Sequence, residues 1–158
     1  MRLLKLSTKG RYGARLMIEL AGNYADGPLP LKDIAERQNL SKGYLEHIIP
    51  LLWSAGLIKS VRGPGGGYIL SRPPDSITLL EILTALEGSL DPVDCISDPE
   101  ICTRTGICAS RDVWIDLKEI ITGRLKEILL SERVIKQENK TSAGPDAQKS
   151  LHGKSSGR

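Results

Sequence analysis

Between residues 31 and 70 the spacing of apolar positions changes period twice. Ile34 and Ala35 mark the inner side of a short helix, and a tight turn through Asn39 and Leu40 leads to Ser41, a good N-cap. Leu45, Ile48, Ile49, Leu52 and Trp53 then recur at steps of three and four, the period of an amphipathic helix, and Gly56 predicts its stop. Two short apolar runs, residues 57–61 and 68–70, flank RGPGGG at 62–67. Such a pair predicts a hairpin whose loop is free to approach another surface. Helix, turn, helix and hairpin in this order predict a winged helix-turn-helix, which lays its second helix in the DNA major groove.

The flanking segments complete a mainly α fold with a small β-wing. Residues 1–6 are short and mixed, an edge strand or arm. A helix is expected from Ser7 or Thr8 to about Tyr24, with Ala14, Met17, Ile18 and Ala21 on one side, and Asp26 to Pro30 form a turn. Pro50 removes a backbone donor inside the second motif helix and clashes with the carbonyl of Glu46, so a kink or short break is expected there. Residues 71–75 close the wing. Thr78 and Glu81 make a capping box for a helix over residues 79–87 that buries Leu80, Leu83, Ala85 and Leu86, with Gly88 at its end. From about Asp112 one long helix is expected to run to roughly Gln137 on a stripe of Trp114, Leu117, Ile121, Leu125 and Ile128, widened by Val113, Ile120 and Leu129. Its length and terminal position suit pairing with a twin, as in dimeric regulators that read two half-sites of a palindromic operator. Three regions follow: a DNA-binding domain at 1–72, a cysteine loop and dimerisation helix at 73–137, and a disordered tail at 138–158, rich in Ser, Lys and Gly.

Charge sharpens this division. The net charge of +3 conceals eleven Lys and Arg against five acids in residues 1–72, six against twelve in 73–135, and five against two in the remainder. A basic half beside an acidic half fits a nucleic-acid face on the first. Lys9, Arg11, Tyr12 and Arg15 crowd the start of the first helix, where phosphates are good partners. Ser41, Lys42, Gly43, Tyr44, Glu46 and His47 lie near the N-terminal end of the second motif helix, the end that touches base edges. Glu46 could accept from a cytosine amino group, and Arg62, with Gly63, Pro64, Gly65 and Gly66 in the wing, could enter a narrow minor groove. A phosphate-binding loop would need Lys and Ser or Thr after its last glycine, whereas here Tyr68-Ile-Leu signals a strand. No apolar run reaches membrane-spanning length, and the first residues are too short in their apolar part for a signal peptide. Three cysteines, an odd number, point to a reducing cytoplasm.

All three cysteines, Cys95, Cys102 and Cys108, fall within one polar loop containing Pro99 and Gly106. Structural cysteines are ordinarily buried singly, so three in one loop suggest soft-metal ligation. An iron–sulfur cluster suits thiolates on a loop free to wrap it. A structural zinc site would show Cys-x-x-Cys knuckles, absent here, and a redox disulfide with a spare thiol is a third reading. A cysteine nucleophile would need an activating His, and none stands near these residues in sequence. The chain therefore reads as a regulator and not an enzyme.

MRLLKLSTKGRYG, SKGYLEHI, SVRGPGGGYIL and the three-cysteine loop before a Trp-bearing helix resemble the IscR/NsrR family of winged-helix repressors, most of all its IscR branch, from about Met1 to Gln137. The resemblance implies a homodimer whose loop holds an iron–sulfur cluster, [2Fe–2S] in first place and [4Fe–4S] as the alternative. It also implies that cluster state selects promoters, with the operon for iron–sulfur cluster assembly as the implied target. Carried over by position, Cys95, Cys102 and Cys108 are the thiolate ligands, Glu46 the base reader and Arg62 the wing residue in the minor groove. Two departures leave the fourth ligand open. Six residues rather than five separate the first two cysteines, and Arg111 stands where IscR-like proteins have a histidine. Thr8 stands where NsrR-like proteins supply an aspartate, while Asp98, Glu100 and Asp112 are nearby oxygen donors. His47 on the presumed DNA face and His152 in the tail are remote from the loop.

Overall fold

The structure is a computed structural model that describes residues 6–142. The expected arm at 1–6 lies, apart from Leu6, outside the described residues, as do residues 143–158 of the expected tail. Among the described residues six α-helices and two strands follow in order, besides two single-turn 3-10 helices at Pro74–Ser76 and Pro99–Ile101: α1 (Thr8–Gly22), α2 (Leu31–Gln38), α3 (Lys42–Ser54), β1 (Ile58–Val61), β2 (Gly67–Leu70), α4 (Leu79–Glu87), α5 (Ala109–Glu127) and α6 (Leu130–Ser142). The strands pair antiparallel, Ile58 opposite Leu70 and Val61 opposite Gly67. Leu29 adds an isolated bridge to the free edge of β2 through two hydrogen bonds with Tyr68, each of 3.0 Å. This is the mainly α winged helix-turn-helix that the hydrophobic pattern predicts.

The punctuation residues act as their chemistry requires. The Ser7 hydroxyl accepts from the Gly10 N–H at the start of α1, and the Ser41 hydroxyl accepts from the Tyr44 N–H at the start of α3. Asn39 adopts the left-handed conformation (φ 50°) between α2 and α3, a geometry that Asn tolerates better than most residues. α4 occupies the expected residues and carries both bonds of its capping box. Pro50 does not break α3, which is continuous from Lys42 to Ser54. Both Pro50 and Glu46 lie on the exposed side, where water can satisfy the carbonyl that loses its partner.

One core joins the reading head to the segments after it. Leu16, Met17 and Leu20 of α1 pack with Ile34 of α2, Leu45, Ile48 and Leu52 of α3, Ile58 and Leu70 of the hairpin, Ile82 and Leu86 of α4, and Leu130 of α6. Each such side chain contributes about 1.5–3 kcal/mol on leaving water. Three expectations for this core need correction. Leu16 and Leu20, rather than Ala14 and Ile18, are the deeply buried members of α1, because the face toward α4 that Gly10 and Gly13 mark is offset from the predicted stripe. In α4 Ile82 is buried, while Leu80 and Ala85 are half-buried. Trp53 is 60% exposed: one turn beyond Ile49, it stands at the edge of the buried row in the last turn of α3.

The expected single long helix is two. α5 ends at Glu127, Ile128 is extended, and α6 begins at Leu130. Two hydrogen bonds explain the interruption: the Leu79 N–H donates to the Ile128 carbonyl (2.9 Å) and the Leu130 N–H donates to the Ile77 carbonyl (2.9 Å). Strand-like pairing with residues 77–79 replaces the helical bonds there and drops Leu130 into the core at 2% exposure. α6 then packs against α1 and continues to Ser142, past the point where the tail was expected to begin. α5 buries no side chain completely and exposes Val113 (56%) and Ile120 (69%).

The capping box of α4 adjoins this junction. Burial pushes the Glu81 carboxyl up, but hydrogen bonds from the Thr78 N–H and hydroxyl, aided by Arg72, outweigh it and hold the group below its ordinary value. Thr78→Ala is expected to cost about 1 kcal/mol of stability, the usual worth of an N-cap side chain. Because the folded-state value of Glu81 is depressed, its contribution is present above the ordinary glutamate range and fades as pH falls through the depressed value. Denaturant melts of the parent and Thr78→Ala proteins should therefore differ less on acidification, as the Thr78 hydroxyl–carboxylate bond weakens while the N-cap bond to the Glu81 N–H persists, and a gap that stays constant with pH would contradict this assignment.

Candidate functional site

The helix-turn-helix offers one face of α3 to solvent. Leu45, Ile48 and Leu52 are fully buried, and the opposite side exposes Ser41, Lys42, Gly43, Glu46 and His47. Lys42 and Glu46 form an ion pair of 3.3 Å one turn apart, with both side chains more than half exposed. An exposed pair of this kind is worth 1 kcal/mol or less and separates readily, leaving the carboxylate able to accept from a base and the ammonium able to meet a phosphate. Ser41 is engaged otherwise: its hydroxyl caps α3 at 3.3 Å from the Tyr44 nitrogen. Tyr44 is half-buried with its ring edge-on to Tyr12, centroids 5.5 Å apart. Tyr12 and Tyr44, both expected as DNA contacts, thus spend much of their surface on each other.

At the start of α1, Lys9 is half-buried and Arg11 exposed, the Arg11 guanidinium lying 5.9 Å from the centre of the Tyr12 ring. Arg15, expected among the phosphate partners, turns inward instead. Its Nε donates to the Gln38 Oε1 at 2.8 Å, and its guanidinium also reaches the Gln38 carbonyl.

In the wing, Val61 to Gly65 are exposed, and Arg62 makes no hydrogen bond or ion pair among the described residues. The glycines have local reasons. Gly63 (φ 99°) and Gly65 (φ 72°) take a backbone conformation that L side chains rarely adopt. A Cβ at Gly66 would collide with the Val61 and Gly63 carbonyls, and one at Gly67 with the Leu29 backbone where the isolated bridge forms. Tight backbone geometry therefore explains the glycine run, and it holds Arg62 out at the mouth of the hairpin.

The cysteine loop lies between α4 and α5. Its turns are held locally: the Ser97 hydroxyl donates to the Asp94 carbonyl, the Asp98 carboxylate accepts from the Glu100 N–H, and the Thr105 hydroxyl reaches the Pro99 and Cys102 carbonyls. Two ties join it to α5. Lys118 contacts Asp91 at 2.5 Å and holds that carboxyl below its usual range, and the Arg111 Nε donates to the Cys95 carbonyl at 3.1 Å. Ile101 (60%) and Ile107 (77%) are exposed, so the loop packs little apolar surface.

Cys102 is exposed, and Cys95 and Cys108 are half-buried; all three are free thiols. Cys108 stands at the N-cap of α5 with its sulfur 3.1 Å from the Ser110 hydroxyl. That contact, backbone N–H groups of the first turn and the charge of Arg104 hold its thiol below the ordinary cysteine value. Among the described residues no three His, Cys, Asp or Glu side chains come together as a preformed metal site. The donor chemistry nevertheless suits a soft metal: three accessible thiols share one lightly packed loop that a bound group could gather. Arg111 is a tie to the loop backbone and not a ligand, and one oxygen of Asp98 accepts from its own turn.

Over residues 6–135 the chain matches the Rrf2 family, described as an iron-dependent transcriptional regulator. It is 44% identical over 126 residues to the HTH-type transcriptional regulator CymR of Bacillus subtilis (strain 168), covering 80% of this chain and 83% of that one. It is 42% identical over 135 residues to the HTH-type transcriptional regulator IscR of Klebsiella pneumoniae (strain 342), covering 85% and 82%. A solved structure described as CymR, the global cysteine regulator of B. subtilis, superposes with a TM-score of 0.70 at 42% identity, covering 83% of this chain and 96% of that one. These relatives are regulators and not enzymes, and both names stand at similar distance. No described helix is long and apolar enough to cross a membrane. By this match over residues 6–135 and by its identity to both relatives, the chain belongs to the Rrf2 family of transcriptional regulators.

Proposed function

We propose that the protein is a homodimeric transcription regulator, a repressor by preference, that reads a palindromic operator in double-stranded DNA and senses iron–sulfur status through its cysteine loop, acting on genes of iron–sulfur cluster assembly. The observation that carries the DNA reading is the two-sidedness of α3, one face sealed in the core and the other offering Lys42, Glu46 and His47. Arg62 with Gly63, Pro64, Gly65 and Gly66 would enter the minor groove, while Lys9 and Arg11, with Ser41, Tyr12 and Tyr44 behind them, would set the register on phosphates. Residues 1–72 form the reading head, and 73–137 the sensing and pairing region. The exposed apolar side of α5 is suited to a second copy. The place of action is the cytoplasm, away from any membrane.

Cys95, Cys102 and Cys108 would hold the cluster, [2Fe–2S] before [4Fe–4S], with the fourth ligand drawn from Asp98, Glu100, Asp112 or outside the chain. A bound cluster supplies a crosslink whose presence depends on iron, sulfide and oxidants. The chain's own part is mechanical: gathering the three thiols would pull on Cys108 at the N-cap of α5 and on the Arg111 tie to Cys95. To change promoter choice, the two loop states need to differ in DNA affinity by about 1–3 kcal/mol. Anaerobic purification should yield a coloured protein with matching iron and sulfide, and each Cys→Ala variant should lower both. Colourless protein that resists reconstitution would remove the cluster from this reading.

A cluster-free, thiol-sensing repressor is the second reading, favoured by the setting of Cys108 beside Ser110 and by the relative described as a global cysteine regulator. A lowered thiol value means more thiolate at neutral pH, so Cys108 should alkylate at lower pH than free cysteine. Ser110→Ala should move that midpoint upward, measured by mass spectrometry of labelled peptides.

Arg62→Ala should weaken binding to the specific duplex by about 1–3 kcal/mol, whereas Lys9→Ala and Arg11→Ala should weaken all duplexes alike and each reduce the salt slope by about 1. Unchanged binding of Arg62→Ala at physiological salt, followed by fluorescence anisotropy, would remove the wing from the interface.

A further inference from the structure

Basic side chains near the start of α1 invite assignment to DNA phosphates, but Arg15 is bound elsewhere. Gln38 is the last residue of α2, and its carbonyl is one of those that a helix C-terminus leaves without an intrahelical partner. The adjoining backbone groups are already spent: the Asn39 N–H goes to the Glu36 carbonyl and the Leu40 N–H to the Ala35 carbonyl. The Arg15 guanidinium fills the vacancy, bonding the Gln38 carbonyl and, through Nε at 2.8 Å, the Gln38 side chain. The other end of the Gln38 amide donates to Glu19, one turn further along α1, which also receives Arg37 (3.7 Å) and Gln137 of α6 (3.3 Å). Arg15 further lies 5.6 Å from the centre of the Tyr12 ring, and Tyr12 meets Tyr44 in the first turn of α3 edge-on, with ring planes 78° apart. One guanidinium thereby touches both sides of the turn at 39–41: the end of the helix before it and, through one ring, the start of the helix after it.

We propose that Arg15 is a positioning residue of the reading head, fixing the angle of α3 against α1 by clamping the C-terminus of α2, and that it does not contact DNA. This rests on the DNA-reading function proposed above and adds to it a residue that sets specificity from behind the interface. Three features of the clamp require arginine: a planar fork to meet a carbonyl and an amide oxygen together, a flat face for the Tyr12 ring, and a permanent charge. Lysine retains only the charge. A phosphate contact would be largely preserved by lysine, and the two roles therefore separate cleanly.

The test uses the full chain and the duplex it enriches from a random 30-base-pair library, alongside a scrambled duplex of the same composition. Arg15→Lys and Gln38→Ala should each lose affinity for the selected duplex, on the order of tenfold, as expected for the loss of one or two hydrogen bonds. Affinity for the scrambled duplex and the salt slope of binding should stay as in the parent. Amide hydrogen exchange on the free protein should quicken across residues 39–46 in both variants, a readout independent of DNA. Gln38→Ala removes no cation and keeps the outcome interpretable if an Arg15 variant folds poorly. The proposal is overturned if Arg15→Lys binds like the parent, or if Arg15→Ala weakens selected and scrambled duplexes alike with a salt slope lower by about 1, the signature of a phosphate contact. If the parent enriches no duplex at all, the DNA-reading function falls, and the specificity role of Arg15 falls with it even where the exchange result stands.

Discussion

α1 and α4 approach more closely than side chains would allow at two positions: a Cβ on Gly13 would run into Leu86, and a Cβ on Gly10 into the Glu87 carboxylate. The two glycines stand three apart on one face of α1, and both are buried. Leu86, 1% exposed, fills the space they leave, and Glu87 accepts from both the N–H and the hydroxyl of Ser7, the N-cap of α1. Two glycines in a helix interior each sacrifice on the order of 1 kcal/mol of helix propensity. That loss is tolerable only if close packing returns more, and the dense core built on α1 shows where it is returned. The helix-turn-helix is held on the other side of α1, where Arg15 and Glu19 meet Gln38 at the end of α2.

Local chemistry in the sequence was a sound guide wherever a structural feature depends on neighbours in the chain. Ser41, Asn39, Gly56, Gly88 and the Thr78–Glu81 box all sit where capping and turn rules place them, and α4 has the predicted ends. The turn and hairpin signals between residues 31 and 70 are likewise local, which is why the order helix, turn, helix and wing was legible. Tertiary partners account for the departures. The break at 128–130 exists because residues 77–79 offer strand-like hydrogen bonds and a core vacancy for Leu130, and no periodicity within 112–137 encodes that. Trp53 counts as apolar in a helical pattern, yet it falls where the core has no surface left to meet it.

For the candidate site the division runs differently. Lys42, Glu46, His47 and Arg62 are exposed, as the expected DNA contacts need to be, and no partner claims them beyond one exposed ion pair. Other side chains on the expected list have an internal alternative. Arg15 looks like Arg11 in the sequence, but a helix C-terminus 23 positions away takes its guanidinium. Ser41 and the tyrosines show the same effect in milder form, since a cap and an aromatic pair employ groups that composition alone would assign to DNA. Arg111 is a further case: at the position where a ligand was sought, the chain holds a donor that bonds the Cys95 carbonyl and fastens the loop to α5.

The contrast between core and loop bears on where a signal could act. The core around α1 is close-packed, and interiors of that kind move little without large cost. The cysteine loop is held by short turns and two ties to α5, with two isoleucines left in solvent, and it is the low-stability kind of segment from which switching elements are drawn. Cys108 belongs to both loop and helix, so any rearrangement of the thiols is also a change at the first turn of α5. α5 in turn ends at the strand-like pairing beside the capping box of α4, which packs on α1. Contiguity of this sort does not itself establish coupling. It does restrict the form that coupling can take. If the loop switches, α5 is the element best placed to carry its displacement, against α4 or a second copy, because Cys108 and Arg111 both stand at its start.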